Sequence, residues 1–258
     1  MKRLFLGFFL VFLFPCPARS SDFAAVLEKS SLEIALEPSY IKYKEPGIMR
    51  ESGVMLGISG AYIYRDNAML KAEARGSWGE VDYRNSGRIN NIQDSIIELR
   101  ALGGYDLPVK EKLTLTPYLG FGYRYLKEDG KNRISSTNAI FYDRISRYYY
   151  SPVGIEAKYA LENNWSIGAT AEYDIFWKGK QQSNLGYIGS GFEDAKNNQD
   201  RGYGVRSSIK VQRKLDEFNL LIEPFARYWN IKKSDVADQG FEPKNRSLEL
   251  GCRIGMVF

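Results

Sequence analysis

Carboxylates and cations recur at even spacing along this chain. Glu33 and Glu37, Lys71, Glu73 and Arg75, Glu98 and Arg100, Glu156 and Lys158 open the series. Glu172 and Asp174, Arg206 and Lys210, Glu223 and Arg227, Glu249 and Arg253 continue it, with Arg124 among them. Three kinds of chemistry use such sets. A carboxylate pair such as Glu172 and Asp174 can divide acid and base roles. A Ser–Lys couple such as Ser208 and Lys210 can generate a nucleophile. Otherwise acids and bases neutralise one another. The chain has no histidine, which removes the imidazole on which triad-type hydrolysis depends. Ser208 and Lys210 share a strand face and nothing further. Acids and bases occur in equal number, and an unpaired charge in a confined site costs several kcal/mol. Mutual neutralisation is therefore the expected role. No catalytic residue is assigned, the chain is expected not to be an enzyme, and neither metal nor cofactor is expected.

Even spacing places these side chains on one face of extended strands. The period of two predicts strands at roughly 31–43, 53–65, 68–79, 95–107, 112–126, 147–160, 164–178, 202–213, 218–231 and 247–258. Their opposite face is apolar and carries no charge over its central part: Leu32, Ile34 and Leu36 in the first, Val54, Leu56 and Ile58 in the second, Leu250, Ile254 and Met256 in the last. Connections sort by length, with short ones at Asp66-Asn67, Pro108–Glu111, Glu162-Asn163 and Lys214–Glu217. Long ones at 44–52, 127–146 and 179–201 alternate with them. Short turns on one side and long loops on the other mark a membrane barrel. Aromatics on the apolar face fall at two levels, Tyr62, Tyr64, Tyr159 and Trp165 at one, Tyr40, Trp78, Tyr123 and Trp177 at the other, as two headgroup girdles require. The expected fold is all-β, a transmembrane antiparallel up-and-down β-barrel of ten strands, with eight as the alternative. The charged series then lines the lumen. Because open channels need about sixteen strands, this lumen is predicted to be plugged or to hold a thread of water. Pro38, Pro117 and Pro224 lie on the lipid face inside strands, which predicts bulges there.

Lys2 and Arg3, the apolar run Leu4–Phe14 and the small residues around Ala18 and Ser20 predict a signal peptide over 1–20, leaving 21–258 as the barrel domain. The apolar run is too short to cross a ~30 Å hydrocarbon core as a helix. Phe14 and Pro15 before Cys16 do not fit a lipoprotein signal. With Cys16 in the leader, Cys252 has no intramolecular disulfide partner and reads as a small apolar filler. The net charge of +5 is dispersed, so nucleic acid is not an expected partner.

Basic residues gather at the long-loop ends of the strands. Lys42, Lys44, Arg84, Arg88, Lys178, Lys180, Lys232 and Lys233 are candidate contacts to lipopolysaccharide phosphates. Arg50, Arg144, Arg147 and Arg246 fall at the same level. The loops 127–146 and 179–201 hold Tyr142, Tyr187, Ile188 and Phe192 among Gly, Asn and Ser, a composition suited to binding protein or glycan.

The leader, the segment Pro117–Tyr125 (PYLGFGYRY), Trp165–Ala169 (WSIGA) and the alternating terminal strand to Phe258 resemble small Gram-negative outer-membrane barrels over the whole mature length. Ten strands with long outer loops are similar to the omptin surface proteases and the ten-stranded opacity-type adhesins. The omptin resemblance implies an Asp–His pair and an Asp pair at the outer rim, and without histidine none of those site residues carries over. The expectation is a non-enzymatic integral outer-membrane barrel, secreted through a cleaved leader, with a structural or ligand-binding role at the surface. An omptin-like hydrolase with altered catalytic groups and a narrow channel are the alternatives. Implied partners are outer-membrane lipid, lipopolysaccharide and the barrel-assembly machinery, which would read the last strand and Phe258.

Overall fold

The computed structural model describes residues 27–189, 191–237 and 240–258; the expected leader lies outside them. Ten long strands follow in order: β1 (Ser30–Glu45), β2 (Met49–Asp66), β3 (Ala68–Asn85), β4 (Gly87–Tyr105), β5 (Leu113–Asp129), β6 (Arg144–Ala160), β7 (Trp165–Ser183), β8 (Gly202–Lys214), β9 (Asn219–Ile231) and β10 (Asn245–Val257). Each pairs antiparallel with the next, and β10 returns to β1 with Leu36 opposite Ile254. The barrel is closed and has no free edge, so its ladders satisfy the backbone without solvent. Phe258 completes the seam, exchanging two 2.9 Å backbone hydrogen bonds with Leu32.

The short-turn end is tied by asparagines in left-handed conformations. Asn67 alone joins β2 to β3 at φ 60°, and Asn163 and Asn164 turn β6 into β7 at 57° and 66°. Asn tolerates this region better than other L-residues with a Cβ.

Along the middle of the barrel the apolar face looks outward. Val54 is 68% exposed while its neighbour Met55 is fully enclosed. Tyr40, Trp78, Tyr173, Trp177 and Tyr203 form an outward ring toward the long-loop end, and Tyr62, Tyr159, Trp165 and Phe258 one at the short-turn end. Between these rings lies the surface that hydrocarbon covers.

Beyond the long-loop ring the strands continue, and the chemistry of the two faces inverts. In β3, Glu80, Asp82 and Arg84 turn outward while Val81 and Tyr83 are buried inside. Ile41, Met49, Met55, Ile89, Ile92 and Ile96 join them in an apolar cluster within the barrel, with Phe141 laid edge-on against Tyr83. Tyr148, Tyr150, Phe176, Trp229 and Ile231 form a second cluster. This inversion corrects the expected loop boundaries. β1 and β2 run to a turn at 46–48, and β3 and β4 meet at Ser86, so those connections are tight hairpins. The segment 179–201 is also partly strand: β7 extends to Ser183 and Ala195–Gln199 pairs with it. A ladder needs only backbone partners, and it persists where water replaces lipid outside.

The prolines do not sit at bulges. The register is unbroken through Pro38, Pro117 and Pro224, which face Leu56, Ile155 and Cys252 on one neighbour. Only the ladder to the other neighbour is interrupted at those levels, so one lost bond is accommodated without an inserted residue. Irregularities occur elsewhere, at Val81/Tyr83 and Tyr149/Tyr150.

Candidate functional site

Strand closure converts the even-spaced charges into continuous networks inside the barrel. Arg75 reaches Glu37 at 3.1 Å, Glu98 at 2.8 Å and Glu249 at 2.9 Å, all four side chains being almost completely enclosed. Arg206 joins Glu98 to Glu172 at 3.1 Å and Asp174 at 2.8 Å. Arg227 binds Glu37 at 2.6 Å and Glu249 at 3.3 Å. Arg100 links Glu172 to Glu73, which pairs with Lys71 at 2.7 Å. A separate set ties Arg253 and Lys210 to Glu33 and Glu223. Tyrosines complete the first network, Tyr150 donating to Glu98 and Tyr118 to Glu172, both at 2.7 Å.

Two members of the expected set stand apart. Arg124 makes no ion pair among the described residues; its guanidinium lies 5.4 Å from the Trp229 ring centroid, with Nε and Nη1 buried and unbonded there. Lys158 lines a cleft of about 360 Å³ at the short-turn end, with Glu28, Glu111, Lys112 and Trp165. Arg65 and Asp106 were not recognisable as members, yet Arg65 bridges Asp106 and Glu156. They lie at strand ends, where the alternation that marks the lumen face stops.

The residues of the hydrolytic alternatives are engaged in the same ionic network. Ser208 donates to Glu223 at 2.7 Å, while Lys210 is held by Glu33 at 2.8 Å and lies 3.9 Å from Glu223. Glu172 and Asp174 both face Arg206. The lumen retains small voids of about 80 Å³ and 40 Å³ beside these residues.

Above the upper aromatic ring, a second acidic group surrounds Arg144. This arginine, expected on the outer rim, points inward: Glu242 lies 2.5 Å away, Glu128 3.7 Å, and Glu45 is in direct contact. Tyr43 donates to Glu45 at 3.0 Å. Glu51 and Glu128 each bury Oε1 without a hydrogen-bond partner. Burial, with Glu128 nearby, holds the Glu51 carboxyl well above its usual range. Asp94, opposite Glu128 in the ladder, is pushed up to about 7 by burial and then by the Glu128 charge. Among the described residues no group of carboxylates and cysteines is arranged to hold a metal ion.

The basic rim divides into patches. Lys42 and Lys44 are exposed on β1, and Lys44 faces Arg50 and Arg246 across its two ladders. Arg84 is engaged within its own hairpin, by Asp82 at 3.2 Å and Asn90 at 2.9 Å, and Arg88 is exposed opposite it. Lys178 and Lys180 are exposed on β7 beside Tyr149 and Arg147. Lys232 and Lys233 follow β9 and border a cleft of about 550 Å³ with Arg201 and Lys244, which loop position alone did not single out. In the loops, Lys131 stacks on Tyr187 at 3.7 Å.

The model of the Autotransporter beta-domain family matches residues 44–212. The outer membrane protease OmpT from Escherichia coli is similar in fold, with a TM-score of 0.66 at 10% identity over 90% of this chain and 96% of that chain. The translocator domain of the autotransporter NalP from Neisseria meningitidis covers 90% of this chain and 92% of its own at 9% identity, with a TM-score of 0.43. Comparison with curated proteins gave no match.

Proposed function

The chain belongs to the Autotransporter beta-domain family and is an outer-membrane β-barrel, and from that premise we propose that it acts without catalysis, as a sealed barrel whose outer end binds ligand at the cell surface. The observation that carries this reading is the filling of the lumen. Ion pairs occupy its middle and two apolar clusters lie above them, so chemistry with large partners falls to the outer end. That end is built for contact. Hairpins extend beyond the lipid belt, exposed cations ring it, and Tyr187 and Phe192 stand exposed on the loops. Lipopolysaccharide phosphates meet the barrel at this level, where Lys42, Lys44, Lys178, Lys180, Lys232 and Lys233 are exposed. The absence of histidine and the engagement of Ser208 and Lys210 by lumen carboxylates support the non-catalytic part.

Entry into the envelope would follow cleavage near residue 20, and the assembly machinery of a Gram-negative cell would receive the last strand, where the exposed Phe258 ring lies 6.2 Å from Phe218. The reading is tested with full-length protein refolded in lipid. Saturable binding of lipopolysaccharide is expected, with no turnover of peptide or phospholipid panels. Steady hydrolysis of either panel, or no lipopolysaccharide binding, refutes it.

A further inference from the structure

A cleft of about 550 Å³ on the outer wall combines charge with apolar surface. It lies between the β1–β2 turn, the start of β8 and the chain leaving β9. Arg201, Lys232, Lys233 and Lys244 border it, and no carboxylate does so among the described residues. Arg201 shares one contact, at 3.4 Å, with the exposed Asp200. Ile48 and Phe241, about half exposed, line it with Pro46 and Pro243. Tyr203 also lines it and is stacked on Tyr173 in the upper aromatic ring with centroids 5.7 Å apart. The cleft thus begins where hydrocarbon ends and rises through the headgroup level.

Four cations with no carboxylate lining the cleft beside them select an anion of more than one charge. Lys and Arg meet phosphate oxygens with charge-assisted hydrogen bonds. Apolar side chains running down to the aromatic ring select a ligand continuing into the membrane. Resting on the surface-binding reading above, we infer that this cleft is a specific site for a phosphorylated glycolipid headgroup of the outer leaflet, with its phosphates on Lys232, Lys233, Lys244 and Arg201 and its proximal acyl region against Ile48 and Phe241. The remaining rim cations are non-selective.

The test compares full-length barrels in neutral phosphatidylcholine nanodiscs, each verified as folded by heat-dependent gel migration, for binding of purified diphosphorylated lipid A. The triple variant Lys232→Gln, Lys233→Gln, Lys244→Gln removes the cleft charges. The triple variant Lys127→Gln, Lys131→Gln, Arg133→Gln removes as much charge elsewhere. Each cleft lysine is worth about fivefold in affinity, so the first triple is expected to lose on the order of a hundredfold. The second should lose about twofold, since its charges stand on the far wall of the barrel from the cleft. Ile48→Ser with Phe241→Ser should weaken lipid A binding while leaving binding of inorganic pyrophosphate unchanged. Equal losses in both triples, or none in the first, overturn the assignment to this cleft while the broader binding reading stands. Pyrophosphate displacing lipid A as well as unlabelled lipid A does overturns the lipid assignment. No lipid A binding by the parent protein overturns the binding reading itself.

Discussion

Arg75 shows what a single lumen residue does. Its guanidinium is the meeting point of Glu37, Glu98 and Glu249, and truncating it leaves enclosed carboxylates short of a cation. Arg75→Ala is expected to destabilise the refolded barrel by about 3–5 kcal/mol, measured by urea unfolding in lipid. A loss below about 1 kcal/mol, the worth of a solvated pair, would mean that water reaches these carboxylates freely. At this scale the lumen face was legible, because alternation tells a strand which side each residue takes. So were the adjacent partners, Arg75 with Glu98 and Arg100 with Glu73. The partners across the barrel were not. Arg75 with Glu249, Arg206 with Glu98 and Arg227 with Glu37 join strands distant in the chain, and only closure brings them together.

At the scale of elements, the hairpins above the lipid belt form a unit with its own electrostatics. Asp94 and Glu51 carry raised carboxyl affinities for protons, for which burial is the largest cause. A folded state that holds a proton more tightly than the unfolded one is favoured where the carboxyl is protonated. Its advantage is fully present below the ordinary carboxyl range and is lost as pH rises through about 7 for Asp94. Amide hydrogen exchange, corrected for intrinsic rates, should therefore show the β3–β4 and β5–β6 hairpins better protected at pH 5.5 than at pH 8. Asp94→Asn should flatten that dependence, leaving the part due to Glu51. Equal slopes in variant and parent would remove Asp94 from the account. The elements themselves were readable to within two residues at the short-turn end. At the other end the expectation stopped too early, because it required apolar residues on the outer face, and above the lipid the apolar residues move inside.

For the whole molecule, closure and filling decide transport. A ten-stranded wall encloses little more than its own side chains, and the voids beside the ion pairs are about 80 Å³ and 40 Å³. Planar-bilayer recordings of the full-length protein should show no discrete conductance steps. Stable unitary steps would mean that the ionic and apolar layers part to leave a continuous water path.

Alternation, the sorting of connection lengths and the two aromatic levels determined by themselves that this chain is a membrane barrel with its charges inside and pointed to ten strands, since each is a property of the pattern along the chain. The missing histidine likewise bounded the chemistry from composition alone. Tertiary structure alone decided which charges meet, that Arg144 turns inward to Glu45, Glu128 and Glu242, and that Lys232, Lys233, Lys244 and Arg201 converge on one cleft. Each of those outcomes depends on distances across a closed wall, and a pattern read along one strand carries no information about what stands on the far side.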